Sequence, residues 1–209
     1  MPLANVWSEA LQHKNFKVKL ISSGMLLLLC AVIAPYVFQY VQQRQGFQIH
    51  DHILTLLPAI DLSHVTFILL YFLILTGVVV LLHFPGLFLL TLQGYVLLTI
   101  IRFITILLVP LEPPQNIIVL TDPFVERFFY QQTITKDLFF SGHTSILVLL
   151  GLVVPSKRLS VFLFAGAFSI GCLLLLQHAH YTIDVLAAPF FSWIAIHIVR
   201  KYSGDNTNR

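Results

Sequence analysis

Charge is what this sequence has least of. Only 10% of its 209 residues are Asp, Glu, Lys or Arg, against roughly 25% in a soluble globular domain. No polar block long enough to be a soluble domain separates the apolar runs, so residues 1–209 read as a single membrane domain. No stretch of Lys and Arg interleaved with aromatics is present, which removes nucleic acid as a partner. Cysteine is scarce as well: Cys30 and Cys172 both sit inside apolar runs, where they read as buried thiols and not as a disulfide or a metal clip.

What the chain has is hydrophobic residues, 57% of the total, arranged in six runs: 18–40, 65–82, 87–109, 138–154, 159–176 and 183–199. Each approaches the 20 or so residues needed to cross a bilayer core, so the expected fold is an all-α bundle of six transmembrane helices. The first run is longer than the apolar core of a signal peptide and contains Pro35, which favours a spanning helix over a cleaved leader. His83-Phe84-Pro85-Gly86 is a turn signal that closes a tight hairpin between the second and third. Residues 110–137 form the longest polar connection, in which Phe124, Phe128, Phe129 and Tyr130 suit a segment lying along the interface. Gly77, Gly94, Gly151, Gly166 and Gly171 suit close helix packing.

An even number of spans puts both termini on one side. That side collects Lys14, Lys17, Lys19, Lys157, Arg158, Arg200, Lys201 and Arg209, the other only Arg44, Arg127 and Lys136. By the positive-inside rule the termini are expected to be cytoplasmic. Arg102, His143, His180 and Asp184 then all lie near the opposite face, periplasmic, lumenal or extracellular, with Arg102 and His143 roughly 8 to 12 Å below it at about 1.5 Å of rise per residue.

Ionisable groups at that depth are costly and usually functional. His180 and Asp184 are four apart, on one face if helical, where the carboxylate can bond one ring nitrogen, fix the tautomer and raise the basicity of the other. His143 follows Ser141 and Gly142 at the expected start of the fourth helix, where free N–H groups and the helix dipole favour an anion. A histidine there can protonate a leaving oxygen. Arg102 is a permanently charged fork suited to phosphate, or else a structural partner of Glu112 or Asp137. Phosphoryl chemistry at a membrane surface is the reading these residues support.

The string Asp137-Leu138-Phe139-Phe140-Ser141-Gly142-His143-Thr144, with His180-Tyr181-Thr182-Ile183-Asp184-Val185 downstream, resembles the third and fourth motifs of the sphingomyelin synthase family, a branch of the type 2 phosphatidic acid phosphatase (PAP2) superfamily. Arg102-Phe103-Ile104-Thr105, continuing to Leu111-Glu112-Pro113-Pro114, is similar to that family's arginine motif. The resemblance runs from the third helix to the sixth and leaves the first 60 residues without support. It implies a histidine, histidine, aspartate triad. His180 would be the nucleophile, Asp184 its orienter and His143 the acid for the leaving group and then the base for the acceptor. Arg102, Asp137, Ser141 and Gly142 would hold phosphate or headgroup. It also implies no metal and no organic cofactor, a phospholipid donor, and a lipid alcohol such as ceramide or diacylglycerol as acceptor. Lys136 stands where those synthases usually carry Gly, and Glu112 interrupts their Leu-Pro-x-Pro pattern.

Three other readings stand beside this one. A lipid phosphate phosphatase would use the same histidine with water as acceptor. A zinc site would draw on His143, His178, His180 and Asp184. A small-molecule transporter would also bury Arg, His and Asp, although no inverted repeat is evident. His50, His52 and His64 in the first outer loop read as solvated. Oligomeric state is not legible.

Overall fold

Each long helix forms where an apolar run meets a capping or breaking residue. The computed structural model describes residues 2–120 and 134–202, and among these eight helices follow one another. α1 (Leu3–Gln12) and α2 (Lys14–Gln43) are separated only by His13. α2 continues through Pro35, and α3 (His52–Leu56) is a single turn capped by Asp51. α4 (Ser63–Leu81) starts after Asp61 and stops at the His83–Phe84 turn. α5 (Pro85–Leu108) opens with Pro at its first position, where the missing N–H costs nothing. α6 (Gly142–Val153) is capped by Ser141, α7 (Lys157–Leu176) by Ser156, and α8 (Thr182–Tyr202) carries Pro189 inside it.

Five of these, α2, α4, α5, α7 and α8, are long and apolar enough to cross a membrane, and α6 is a shorter apolar helix. Their outward faces are themselves apolar, with Met25, Leu28, Ile68, Phe168 and Leu186 all about two-thirds exposed or more. That is the pattern of an integral membrane protein, whose lipid-facing surface needs no polar cover. Cys172 is on such a face and is exposed, contrary to its expected burial; Cys30 is buried. A run that is apolar throughout does not say which side of it packs.

The fourth run departs from expectation for a related reason. The helix covers 12 residues of the expected 138–154, about 18 Å. Leu138 and Phe140 are apolar because they are buried, at 1% and 0% exposure, in a non-helical stretch leading into Ser141. Burial and helicity leave the same mark on a sequence.

In the bundle α6 packs between α7 and α8, α4 lies against both α6 and α7, and α5 bridges α2 and α8. α2 is the peripheral helix, with 11% of its apolar window buried against 33% for α4, α5 and α7. The expected close glycines are close: a Cβ on Gly94, Gly166 or Gly171 would meet Ile196, Leu73 or Val185 at 2.4 to 2.6 Å. α1, not expected as a helix, docks on the α4–α5 turn, where Trp7 donates its indole N–H to the Leu82 carbonyl at 2.7 Å and sets its ring edge against Phe88.

At the end of the bundle where α5 and α7 finish and α6 and α8 begin, the connections knit into one layer. Phe47 and Leu111 pair as an isolated parallel bridge, through Phe47 N–H to Pro110 O at 2.9 Å and Glu112 N–H to Phe47 O at 3.0 Å. Gln177, fully buried, donates to Ser63 Oγ and Val119 O and accepts from Leu62 N–H. Arg44 places its guanidinium on the carbonyls of Ile106, Leu107 and Val109, a cation at the C-terminus of α5. Beneath this layer Leu54, Leu111, Leu138 and Tyr181 form a small core separate from that of the bundle.

The Phe47–Leu111 bridge requires glycine at 46, since a Cβ there would lie 2.6 Å from the Pro110 carbonyl oxygen and 2.9 Å from the Leu111 carbonyl carbon, both backbone. Gly46→Ala is expected to cost about 1–3 kcal/mol. Gly24→Ala, inside α2 with nothing within 4 Å of its added Cβ, should be neutral or up to about 1 kcal/mol stabilising. Thermal unfolding of the two variants in detergent measures the contrast.

Candidate active site

Two helix N-termini meet in this layer. Ser141 caps α6 in the ordinary way, its Oγ accepting from Thr144 N–H at 3.4 Å and donating to Thr144 Oγ1 at 3.1 Å. Asp184, in the first turn of α8, reaches back so that Oδ2 accepts from Tyr181 N–H at 3.0 Å and bonds His180 Nδ1 at 3.2 Å. The backbone joins the two starts: Ser141 N–H donates to the Asp184 carbonyl at 3.0 Å. Residues 43 positions apart in sequence thereby share one place.

His180 and Asp184 are paired as their spacing suggested, but not on one helical face. α8 begins at Thr182, so His180 stands ahead of the helix and folds back over its first turn. The pair is deeply enclosed, with side-chain exposures of 5% and 0%. An ionised carboxylate only accepts, so Nδ1 is the protonated nitrogen of this contact, and in the neutral imidazole the lone pair falls on Nε2. Asp184 Oδ1 and His143 Nδ1 are buried atoms without a hydrogen-bond partner among the described residues.

Arg102 comes from the last turns of α5 and lies across the start of α6. Its Nη2 meets Asp137 Oδ1 at 2.8 Å as an ion pair, and its N–H groups donate to the carbonyls of Phe140 and Asp137 at 3.2 Å. Asp137, not Glu112, is therefore its partner. Gly142 leaves room for the contact, since a Cβ there would lie 3.0 Å from the guanidinium and push it back. Gly142 thus admits a cation against the helix N-terminus, the same spot that favours an anion. Thr105 donates to the Phe139 carbonyl at 2.9 Å and further ties α5 to the segment before Ser141. His143 is half-buried, with the Phe67 ring packed edge-on at 5.7 Å.

The two residues that break the motif pattern prove to be partners. Lys136 Nζ meets Glu112 Oε1 at 2.7 Å and donates to the Arg44 carbonyl at 2.8 Å, while Glu112 Oε1 also accepts from Gly46 N–H. They clamp three outer connections together. His178 serves a similar purpose: held at φ 53, its ring nitrogens face the carbonyls of Gln115 at 3.0 Å and Leu57 at 3.2 Å. It is occupied with loop carbonyls. Among the described residues no group of three or more His, Cys, Asp or Glu gathers as a metal site would require. His50 and His52 contact each other edge to face, and the stretch holding Phe124, Glu126, Arg127, Phe128, Phe129 and Tyr130, like Arg209, lies outside the described residues.

Asp51 was missed by sequence reasoning. Its Oδ2 accepts from Thr182 N–H at 2.7 Å and its Oδ1 from Thr182 Oγ1 at 3.0 Å, at the first residue of α8. Tyr181, 1% exposed, donates its hydroxyl to the Glu112 carbonyl at 3.0 Å and accepts from Ile49 N–H at 3.3 Å. The available signal was an Asp directly before the short apolar turn at 52–56, a helix-capping pattern. A cavity of about 250 Å³ opens beside Asp51, His178 and Tyr181. Arg102, His143, His180 and Asp184 are not in its lining.

These features define a class: an all-helical, membrane-type bundle with ionisable groups gathered at abutting helix N-termini near one end. Within it, the family model for the PAP2 superfamily C-terminal domain matches residues 136–202, about a third of the chain. The match contains Asp137, Ser141, Gly142, His143, His180 and Asp184 and stops short of Arg102. No curated protein and no solved structure matches the chain.

Acid should loosen the outer layer before the bundle. Burial pushes the Asp51 carboxyl up, but its bonds from Thr182, Leu54 and Ile53 outweigh that and hold it below the usual range. Glu112 is held low first by its bond from Lys136, and Asp61 by its bonds from Ser63. Each binds its proton less readily folded than unfolded, so its contribution is complete at neutral pH and disappears as pH falls through its depressed value. The loss of these three contributions should make the unfolding midpoint drop below about pH 4. A double-mutant cycle on Lys136→Met and Glu112→Gln should return a coupling of about 1 kcal/mol or less, as this pair is only partly buried.

Proposed function

We propose that this chain is a membrane phospholipid headgroup phosphotransferase, similar to the sphingomyelin synthases, working through a histidine nucleophile on His180. The observation that carries the reading is the junction of the two helix starts, which sets the His180–Asp184 pair beside the phosphate-favouring Ser141-Gly142-His143 turn and the Arg102 guanidinium. The PAP2 family match over residues 136–202 independently suggests phosphatase or phosphotransferase activity.

In this mechanism the phosphate of the donor lipid lies at the start of α6, its charge offset by Arg102 and the free N–H groups. His180 Nε2 attacks phosphorus, a P–N bond forms, and the P–O bond to the diacylglycerol breaks. His143 gives the departing oxygen its proton. An acceptor hydroxyl then attacks phosphorus, returns its proton to His143, and breaks the P–N bond. Asp184 holds the His180 tautomer through both steps. Asp137 positions Arg102 and the headgroup. With a lipid alcohol as acceptor the product is a new phospholipid. With water and a phosphomonoester donor it is free phosphate, and the superfamily match favours keeping this phosphatase reading as the alternative.

For topology we read six crossings, the fourth completed by residues 138–141 ahead of the short α6. Irregular backbone is tolerated at membrane depth only where protein satisfies it, and Arg102 and Thr105 donate to the carbonyls of Phe140 and Phe139. Both termini then lie on the cytoplasmic side, where Lys and Arg concentrate, and the site on the periplasmic, lumenal or extracellular side.

The test is purified protein in lipid given labelled phosphatidylcholine or phosphatidylethanolamine, with and without ceramide or diacylglycerol, and phosphatidic acid separately. New phospholipid selects the synthase and released phosphate the phosphatase. His180→Ala should abolish either, His143→Ala should cost about 10²–10⁴-fold, and full activity in His180→Ala would refute both. No turnover with any phospholipid would move the assignment to transport.

A further inference from the structure

We propose that Asp51, in the first outer loop, is a positioning residue for the His180–Asp184 pair. The inference rests on the reading of His180 as nucleophile, but its structural half stands apart from that reading. Asp51 caps two helices at once. Toward its own side it accepts from Ile53 N–H at 3.0 Å and Leu54 N–H at 3.3 Å, which starts α3. Toward the site it accepts from the Thr182 N–H at 2.7 Å and the Thr182 hydroxyl at 3.0 Å.

The second set bears on His180. The start of α8 has to hold an unusual shape, with His180 ahead of the helix and folded back onto Asp184. Asp184 supplies one constraint by accepting from Tyr181 N–H, and Tyr181 is pinned through its hydroxyl to Glu112 O and Ile49 N–H. Thr182 is next in line, and the Asp51 carboxylate takes both of its donors. A negative charge there also faces the positive end of the α8 dipole. The residues from 180 to 184 are thus gripped from the outer loop by Asp51 and from within by Asp184. Small errors in such placement are costly to catalysis, with a displacement of about 1 Å able to cost on the order of 10²-fold.

Asp61 makes a matched control. It stands just ahead of α4 and bonds that helix's first residue with the same chemistry, accepting from Ser63 N–H at 3.1 Å and Ser63 Oγ at 2.8 Å, and among the described residues it has no bond to α8. Thr182→Pro is the second probe: Pro at the first helical position is well tolerated, and it removes both Thr182 donors while the α3 cap survives.

Steady-state kinetics and amide hydrogen exchange of the full chain in lipid nanodiscs test this. Asp51→Ala and Thr182→Pro should each lower kcat roughly 10- to 100-fold with KM within about twofold of wild type, while Asp61→Asn stays at wild type. Asp51→Asn, which keeps one acceptor oxygen, should recover part of the loss. Exchange in residues 178–186 should quicken in Asp51→Ala and Thr182→Pro without a matching change across the bundle. Wild-type kcat in both variants, an equal loss in Asp61→Asn, or faster exchange spread over the whole chain would overturn the proposal. If the wild-type protein turns over no phospholipid, the functional reading fails. Unchanged exchange at 178–186 would then overturn the positioning claim by itself.

Discussion

The hydrogen bond from Ser141 N–H to the Asp184 carbonyl, 3.0 Å long, is the contact on which the arrangement of this protein depends. Helix N-termini carry unpaired donors and the positive end of the dipole, so burying two of them side by side is unfavourable unless each is satisfied. Here one helix donates to the other's backbone, Ser141 and Asp184 cap from within, and Asp51 caps from the outer loop. Two helix starts directed at one place, with the Arg102 guanidinium against one of them, are the features that the proposed phosphate chemistry would use.

The protein divides its labour by solvent. The bundle is uniform: Leu, Ile, Val and Phe fill its interior and also coat its outside, with glycine wherever helices must approach closely. Little polar information lies there. Among the described residues almost every ion pair and side-chain bond between distant residues belongs to the layer that closes one end, in which Lys136–Glu112, Arg102–Asp137, Gln177–Ser63 and Tyr181–Glu112 tie connections and helix ends to one another. A layer tied this way resists rearrangement because no single connection can move without unsatisfying a buried group in another.

Much of the candidate site was legible because its residues are expensive in an apolar chain. Arg102, His143, His180 and Asp184 announced themselves by standing where charge is rare, Asp137 came only with the motif resemblance, and the spacing of four suggested the His180–Asp184 contact that the structure shows. The backbone route to that pairing was not legible, since the same spacing serves one face of a helix and a fold-back at a helix start. The run at 138–154 is helical only from Gly142 for a physical reason also: Leu138 is apolar to fill the small outer core and Phe140 to fill the bundle core, and a buried irregular segment and a helix select the same residues. Lys136 and Glu112 looked like two unrelated departures from a motif until their ion pair showed them to be one feature.

By itself the sequence determined that the chain is an apolar helical protein with one cluster of chemistry, because composition and run length report solvent preference directly. Tertiary structure decided what the cluster is made of. Asp51 stands 131 positions from Thr182, in a loop whose histidines looked merely solvated, and it came to bond the start of α8 only when the outer connections folded over that helix. A hydrogen bond between loops depends on where two backbones are brought, and neither residue carries a local pattern that records its partner.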